Sequence, residues 1–163
     1  MPEFDDDIQF PGIVDHDAFM RIALKEASYA LEEGEVPVGA VIVKDGRIIG
    51  RGHNQRETLK DPTAHAEMIA ITQAAAELEN WRLTGATMYV TLEPCPMCSG
   101  ALVNARIKRI VFGASDPRAG GCGSMVNLVQ DERLNHQIEL VHSVLTEECS
   151  GILQDFFRSR REK

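Results

Sequence analysis

The sequence lacks long apolar runs, although 44% of its 163 residues are hydrophobic. None of its apolar segments approaches the roughly 20 residues that a bilayer-spanning helix needs. The first seven residues carry four acids and no base, which fits neither a secretory signal nor a transit peptide. We therefore expect a protein without membrane spans that is located in the cytoplasm.

Cysteine is scarce, with four residues in the chain. Cys95 and Cys98 lie three positions apart, and Cys122 and Cys149 each stand alone. This set is a poor disulfide framework for a chain that is long enough to bury a core without cross-links. The close pair is therefore interpreted as metal ligands or as a redox pair, and the single cysteines as small buried side chains.

Aromatic residues and positive charge are also in short supply. Aromatics make up 6% of the chain, which leaves no evident platform on which an RNA-binding module would stack bases. A formal net charge of −8 argues against broad, nonspecific binding of nucleic acid through phosphate neutralisation. A local RNA contact is still compatible with this charge, because basic residues are clustered near the C-terminus. The cluster consists of Arg158, Arg160, Arg161 and Lys163.

Hydrophobic periodicity predicts a single α/β domain at 15–163, preceded by a loose acidic leader at 1–14. An Asp45-Gly46 pair between two β-rich segments predicts a hairpin. Helices that alternate with five short strands favour three layers of secondary structure. Helices are predicted at 17–33, 64–78, 94–105 and from 146 onwards, strands at 38–43, 47–51, 87–92, 107–112 and 138–144, and loops at 54–63 and 113–124. The apolar stripe of the last helix is predicted to consist of Cys149, Ile152, Leu153, Phe156 and Phe157.

Two short segments carry the chemistry. The first contains His65 and Glu67, and the second contains Cys95 and Cys98 directly after Pro94. A lone histidine is most often structural, and Cys-x-x-Cys alone is also typical of thioredoxin-type redox pairs. Together, His-x-Glu followed by Pro-Cys-x-x-Cys forms the signature of zinc-dependent deaminases that act on nucleobases.

The predicted elements can bring these side chains to one metal ion. Cysteines three positions apart at the start of a helix share one face, and the positive end of the helix favours their thiolates. With one imidazole they supply three ligands, which leaves the fourth tetrahedral position open to water, as in catalytic zinc sites. No fourth Cys or His lies at conventional spacing, although Cys122 can in principle serve. We therefore predict one Zn2+ held by His65, Cys95 and Cys98.

Glu67 is predicted to move the protons of the reaction. Zinc lowers the pKa of bound water to about 7. Deamination also needs a group that takes a proton from this water and delivers protons to the ring nitrogen and the leaving amine. Glu67, beside His65, is the candidate for that shuttle. The alternative interpretation is a first-turn acid that stabilises a helix dipole by about 0.3–1 kcal/mol.

These motifs resemble the cytidine-deaminase-like superfamily and, within it, the bacterial tRNA-specific adenosine deaminases. The resemblance implies a three-layer α/β/α fold with a five-stranded mixed sheet, and a homodimer with one Zn2+ per subunit. It also implies hydrolytic conversion of adenosine to inosine at the wobble position of an arginine tRNA. The segments that carry the resemblance, within about 19–161, are 35–41, 53–54, 61–67, 89–95, 112–116 and 156–158.

The resemblance also implies substrate contacts. Asn54 is similar to the residue that contacts the flipped nucleoside, and Asp116 is similar to a residue of the substrate-side loop. The basic last helix is similar to one that contacts tRNA, which implies contacts by Arg158, Arg160 and Arg161. From the residues alone, Asn54 is also typical of a turn that closes a hairpin, and Asp116 of a turn former.

Three other functions compete with this interpretation. A free guanine or cytosine deaminase shares the same zinc motifs, but the segment 112–116, its glycine-rich continuation and the basic last helix favour the tRNA branch. An RNA-binding protein with a structural zinc leaves Glu67 without a role, and a redox protein leaves His65 and Glu67 unexplained. We further expect the whole anticodon stem-loop to be recognised, because an anticodon loop offers the unstacked bases that base flipping requires.

Overall fold

The computed structural model describes residues 15–161 of the chain. The predicted leader at 1–14 and the last two residues of the predicted domain at 15–163 lie outside this range. Within it, no helix is both long and apolar enough to cross a membrane. The helices are α1 (His16–Glu32), α2 (Arg56–Leu59), α3 (Ala66–Leu78), α4 (Pro96–Asn104) and α5 (Thr146–Arg161). The strands are β1 (Gly39–Lys44), β2 (Arg47–His53), β3 (Thr87–Leu92), β4 (Arg109–Ala114) and β5 (Glu139–Val141).

The strands form one mixed sheet in the order β2-β1-β3-β4-β5. Strand β1 pairs antiparallel with β2 and with β3, whereas β3 pairs parallel with β4, and β4 with β5. The hairpin predicted at Asp45-Gly46 is confirmed, because φ is 53° and 77° at these residues and a tight two-residue turn of this kind requires positive φ at both. The predicted five-stranded mixed sheet is also confirmed.

The side chains of the central strands alternate between two buried faces. Ala40, Ile42 and Met88 pack against α3 and α4 in one apolar cluster. Val41 and Tyr89 pack against α1 in the other. Because helices cover both faces, these strands are apolar along nearly their whole length rather than at alternate positions. The predicted three-layer α/β/α fold is therefore confirmed.

Three elements differ from the prediction. Strand β4 covers Arg109–Ala114 instead of 107–112, so it continues two residues into the predicted loop 113–124. Helix α2 is a single turn inside the predicted loop 54–63, too short for hydrophobic periodicity to reveal. Strand β5 covers only Glu139–Val141 instead of the predicted 138–144. It ends early because Ser143 and Leu145 have positive φ values of 66° and 52°, which an extended strand does not contain.

Glycines let two helices lie close against the sheet. A Cβ atom on Gly50 of β2 would overlap the carbonyl oxygen of Ala70 in α3, and one on Gly39 of β1 would overlap the carbonyl oxygen of Ala23 in α1. Helix α3 carries Glu67 in its first turn. The Gly50 contact therefore helps to set the distance between the sheet and the helix that carries this carboxylate.

We expect Gly50→Ala to lower the free energy of unfolding by about 1–3 kcal/mol, because the added methyl group overlaps the backbone of α3. Urea denaturation followed by circular dichroism measures the change. Gly151→Ala is the matched control, since a Cβ atom there meets nothing within 4 Å. Alanine at position 151 should raise the stability slightly, because the position lies inside α5. Stability of Gly50→Ala equal to or above that of the unmodified protein would contradict the close packing.

Candidate active site

The three predicted metal ligands lie at the N-termini of two helices. His65 is the N-cap residue of α3, and Cys95 is the N-cap residue of α4, whose first turn contains Cys98. An N-cap side chain usually accepts a hydrogen bond from its own helix, but neither His65 nor Cys95 does so. The two side chains approach each other instead, just beyond the carboxyl end of β3.

The separations between the ligand atoms fit a tetrahedral metal ion. His65 Nδ1 lies 3.7 Å from Cys95 Sγ and 3.6 Å from Cys98 Sγ, and the three ligand atoms lie within 4.8 Å of one another. With a Zn–N distance of about 2.0 Å and a Zn–S distance of about 2.3 Å, tetrahedral coordination places N and S about 3.5 Å apart. One imidazole and two thiolates at this spacing therefore fit zinc.

The three side chains also change one another's protonation. Hydrogen bonds with Cys98 and then with His65 lower the pKa of Cys95, although burial acts in the opposite direction. The hydrogen bond with Cys95 raises the pKa of His65, and the bond with Cys95, together with burial, raises the pKa of Cys98. The arrangement thus favours a thiolate at Cys95, and the thiolate is the form of cysteine that binds metal.

Glu67 lies two positions after His65 and is only 4% exposed. Burial raises the pKa of its carboxyl group, and a backbone hydrogen bond and the charge of His65 only partly oppose this effect. A raised pKa makes a carboxylate a stronger base toward a proton of water. The environment of Glu67 is therefore suited to general acid–base chemistry.

A cavity of about 320 Å³ opens beside these residues. His65, Glu67 and Cys95 line it together with Asn54 and Asp116, so the structure brings both predicted substrate residues to the predicted metal ligands. This volume is typical of a site for a small organic molecule. A second cavity, of about 330 Å³ between β2 and α3, contains none of the predicted site residues in its lining.

Asn54 and Asp116 also stabilise turns. The Asn54 amide donates to the carbonyl oxygen of Val36 at 3.2 Å, and its Oδ1 accepts from the backbone N–H of Arg56 at 3.3 Å. Asp116 Oδ1 accepts from two backbone N–H groups that follow it, at 3.1 and 3.2 Å. These bonds agree with the turn-forming interpretation of both residues, and they also fix the two side chains at the cavity.

The basic residues of α5 lie apart from the cavity, since none of the three predicted tRNA contacts lines it. Arg158 lies 3.5 Å from the carboxylate of Asp155. Arg160 donates to the carbonyl oxygen of Gly34 and so connects α5 to the end of α1. Arg161 is exposed. Arg160 therefore has a structural partner that the sequence did not indicate.

Phe157 is the residue through which α5 contributes to the cavity. The predicted apolar stripe included both Phe156 and Phe157, but successive helical residues point about 100° apart. Phe156 is 8% exposed and packs inward, whereas Phe157 is 47% exposed. Phe156 lies three residues after Leu153 and Phe157 lies four residues after it. Both spacings are typical of one face of a helix, so periodicity did not distinguish the two side chains.

Two buried carboxylates near the site were not singled out by the sequence. Glu35 and Glu93 are each 2% exposed. Glu35 accepts from the backbone N–H groups of Glu57 at 3.0 Å and Thr58 at 2.8 Å, at the start of α2. Burial alone would raise the pKa of both carboxyl groups, but their hydrogen bonds lower it. Their partners lie 22 to 31 positions away in the chain, beyond the reach of motif spacing.

The two single cysteines are buried, as predicted, and all four cysteines are free. Burial raises the pKa of Cys122 and of Cys149 to about 12. Cys122 Sγ lies 3.5 Å from Ser99 Oγ and is outside the candidate metal-ligand group of the described residues. The structure therefore gives no support to Cys122 as a fourth ligand.

In the metal-free protein we expect iodoacetamide to alkylate Cys95 well before Cys122 and Cys149. Cys95 is partly exposed and its thiolate persists below neutral pH, whereas the other two thiols are buried and protonated. The alkylation rate of Cys95 should change little between about pH 8 and pH 6. Over the same range, the alkylation rate of an ordinary thiol with a pKa of about 8.5 falls roughly tenfold per pH unit. Peptide mass spectrometry measures the rates. Equal labelling of the three cysteines would contradict the assigned electrostatics.

Comparison with solved structures supports the fold. A structure from studies of A-to-I editing by tRNA:A34 deaminases at the wobble position of transfer RNA superposes with a TM-score of 0.81 at 44% identity, over 83% of this chain and 99% of that chain. Guanine deaminase from Nitrosomonas europaea superposes with a TM-score of 0.76 at 20% identity, over 88% of this chain and 85% of that chain. At the lower identity the likeness concerns the fold alone.

The fold and the His-Cys-Cys group define a deaminase, and a family model described as MafB19-like deaminase matches residues 14–161. The tRNA-specific adenosine deaminase of Bacillus subtilis (strain 168) is 57% identical over 145 residues, which cover 89% of this chain and 90% of that protein. The corresponding protein of Haemophilus influenzae is 52% identical over 145 residues, 88% of this chain and 84% of that protein. The chain belongs to the family of tRNA-specific adenosine deaminases.

Proposed function

We propose that this protein hydrolyses adenosine to inosine at the wobble position of a tRNA anticodon. The observation that carries the proposal is a cavity lined by Glu67 beside the His65, Cys95 and Cys98 group, in a chain of the tRNA-specific adenosine deaminase family. An arginine tRNA is the proposed substrate, on the basis of the family resemblance. The proposed catalytic unit is one domain at 15–163.

His65, Cys95 and Cys98 are proposed to hold one Zn2+ in each subunit. Imidazole and thiolate are ligands that zinc prefers, and three protein ligands leave one coordination position open. The separations of 3.6 and 3.7 Å between His65 Nδ1 and the two sulfur atoms support this assignment. When bound, zinc acts as a Lewis acid that makes water nucleophilic near neutral pH.

Glu67 is proposed to carry the protons between water and the base. Its carboxylate accepts one proton from the attacking water and delivers it to the ring nitrogen. It then accepts the second proton from the new C6 hydroxyl and delivers it to the amine, which leaves as ammonia while the C6 carbonyl of inosine forms. The burial of Glu67 supports this role, because it raises the pKa of the carboxyl group. The same burial keeps bulk water away from the proton transfer.

Asn54 and Asp116 are proposed to contact the flipped nucleoside. Both line the cavity of about 320 Å³, and enzymes that act on a nucleobase take it out of its stack into such a pocket. Arg158, Arg160 and Arg161 are proposed to contact the tRNA outside the cavity. Arg160 already bonds Gly34 and Arg158 already pairs with Asp155, whereas Arg161 is exposed at the end of the described helix.

A homodimer in the cytoplasm is the proposed working form. The dimer rests on the family resemblance, and light scattering of the purified protein tests it. The cytoplasmic location follows from the proposed substrate, since tRNA is modified where it is used.

The decisive experiment incubates the zinc-loaded protein with an arginine-tRNA anticodon stem-loop that carries wobble adenosine, with free adenosine, guanine and cytosine in parallel. We expect inosine in the RNA and little product from free adenosine, because the flipped base is presented by the loop. Glu67→Ala should keep its zinc and its fold but lose turnover by about 10²–10⁴-fold. Nucleoside analysis by mass spectrometry measures inosine.

Two outcomes would contradict this proposal in different ways. Ammonia released from guanine or cytosine, without inosine in the RNA, would move the protein to the alternative function, a free-base deaminase with the same metal site. Activity of Glu67→Ala close to that of the unmodified protein would remove Glu67 from the mechanism.

Removal of one thiolate should remove the metal. We expect Cys95→Ala and Cys98→Ala each to contain less than about one tenth of the zinc of the unmodified protein, because two protein ligands hold the ion weakly. Cys149→Ala is the matched control, a buried cysteine outside the candidate ligand group. Elemental analysis after dialysis measures zinc per chain, and full occupancy in either ligand variant would exclude that residue as a ligand.

A further inference from the structure

Glu93 is a buried carboxylate whose acceptor positions are all used. Its Oε1 accepts from the backbone N–H of Asp116 at 3.1 Å and from the hydroxyl of Ser124. Its Oε2 accepts from the backbone N–H groups of Cys122 and Ser124, both at 3.1 Å. A carboxylate offers about four lone-pair sites, so none is left for a substrate atom or for proton transfer.

All four donors belong to one segment, 116–124, and this segment forms a wall of the cavity. Asp116 and Ala119 line the cavity, and Asp116 Oδ1 accepts from the backbone N–H of Ala119. The same segment is connected to the metal side of the cavity, because the N–H of Gly121 donates to the carbonyl oxygen of Pro94 at 2.7 Å. The substrate-side wall is thus connected directly to the residues just before Cys95.

Two of the three glycines in this wall allow it to approach Glu93 and the start of α4 closely. A Cβ atom on Gly120 would overlap Oε2 of Glu93. A Cβ atom on Gly121 would overlap Ser99 Oγ and would lie 3.0 Å from the carbonyl oxygen of Cys95. Any side chain at these positions would push the wall away from the carboxylate and from the metal ligands.

We propose that Glu93 is a positioning residue that sets the distance between the substrate-side wall and the metal end of the cavity. The inference rests on the proposed function, because it assigns the wall to nucleoside binding. Hydrogen bonds to an ionised acceptor are stronger than neutral ones, and here four of them converge on one buried group. Loss of this group should therefore weaken substrate binding while the metal ligands stay in place.

Glu93→Gln is the most selective variant, because it keeps the size and shape of the side chain and replaces one accepting carboxylate oxygen by a donating amide nitrogen. With its amide nitrogen at the Oε2 position, the glutamine would oppose two backbone N–H groups, those of Cys122 and Ser124. With the amide nitrogen at the Oε1 position, only the N–H of Asp116 faces another donor, because the Ser124 hydroxyl can rotate and accept a hydrogen bond from the amide. The variant should therefore release Asp116 selectively.

We expect Glu93→Gln to raise KM for the anticodon stem-loop about tenfold, with a smaller change in kcat and an unchanged zinc content. Gly120→Ala should raise KM in the same direction by displacing the wall, whereas Gly151→Ala should leave both constants unchanged because its Cβ atom meets nothing within 4 Å. A merely structural defect lowers the active fraction, which reduces kcat at constant KM. That result would overturn the positioning role.

Amide hydrogen exchange separates this inference from the proposed function. In Glu93→Gln we expect faster exchange at Asp116 and retained protection in β3 and α4, whether or not the unmodified protein forms inosine. Absence of inosine with the unmodified protein would reject the proposed function, and the exchange rates would still decide the role of Glu93. Unchanged exchange at Asp116 would overturn the positioning role. If Glu93→Gln does not fold, KM for the stem-loop and amide exchange at Asp116 are measured in Gly120→Ala instead.

Discussion

The structure depends on the meeting of two helix N-termini at the carboxyl end of β3. The first backbone N–H groups of α3 and α4 have no intrahelical acceptors, and both helix dipoles place their positive ends at the same point. His65 and Cys95 occupy the two N-cap positions without capping their helices. An electropositive end of this kind favours the thiolate form of cysteine. The sheet, the close glycine contacts and the two layers of helices all serve to hold these two helix ends together.

Buried polar groups around the cavity are organised by backbone N–H groups rather than by ion pairs. Glu35 accepts from the start of α2, and Glu93 accepts from the segment 116–124. Among the residues that the structure describes, no buried side-chain nitrogen or oxygen is without a partner. A carboxylate that is satisfied in this way costs little to bury. The start of α2 and the segment 116–124, which both lie outside the sheet, thereby acquire a defined position beside it.

Much of the fold and most of the candidate site could be predicted from the sequence. The strands β1 and β3, the Asp45-Gly46 turn and the His65, Cys95 and Cys98 group all follow from local patterns: periodicity, turn chemistry and ligand spacing. Glu93 and Phe157 could not be recognised in this way. The role of Glu93 depends on donors that only the folded chain brings to it, and the exposure of Phe157 depends on where α5 lies against the sheet. Local patterns predict what a residue is able to do, whereas tertiary packing decides which of these abilities is used.

The wall between Asp116 and Ser124 is a single continuous stretch of chain whose attachment to Glu93 uses mainly main-chain hydrogen bonds. Main-chain donors are common to every residue except proline. Side chains on the cavity face of this stretch can therefore change while its anchor remains as it is. The architecture separates the proposed metal ligands from the surface proposed to contact the substrate. In evolutionary terms, one scaffold can acquire a new substrate through changes in this one segment without rebuilding its chemistry.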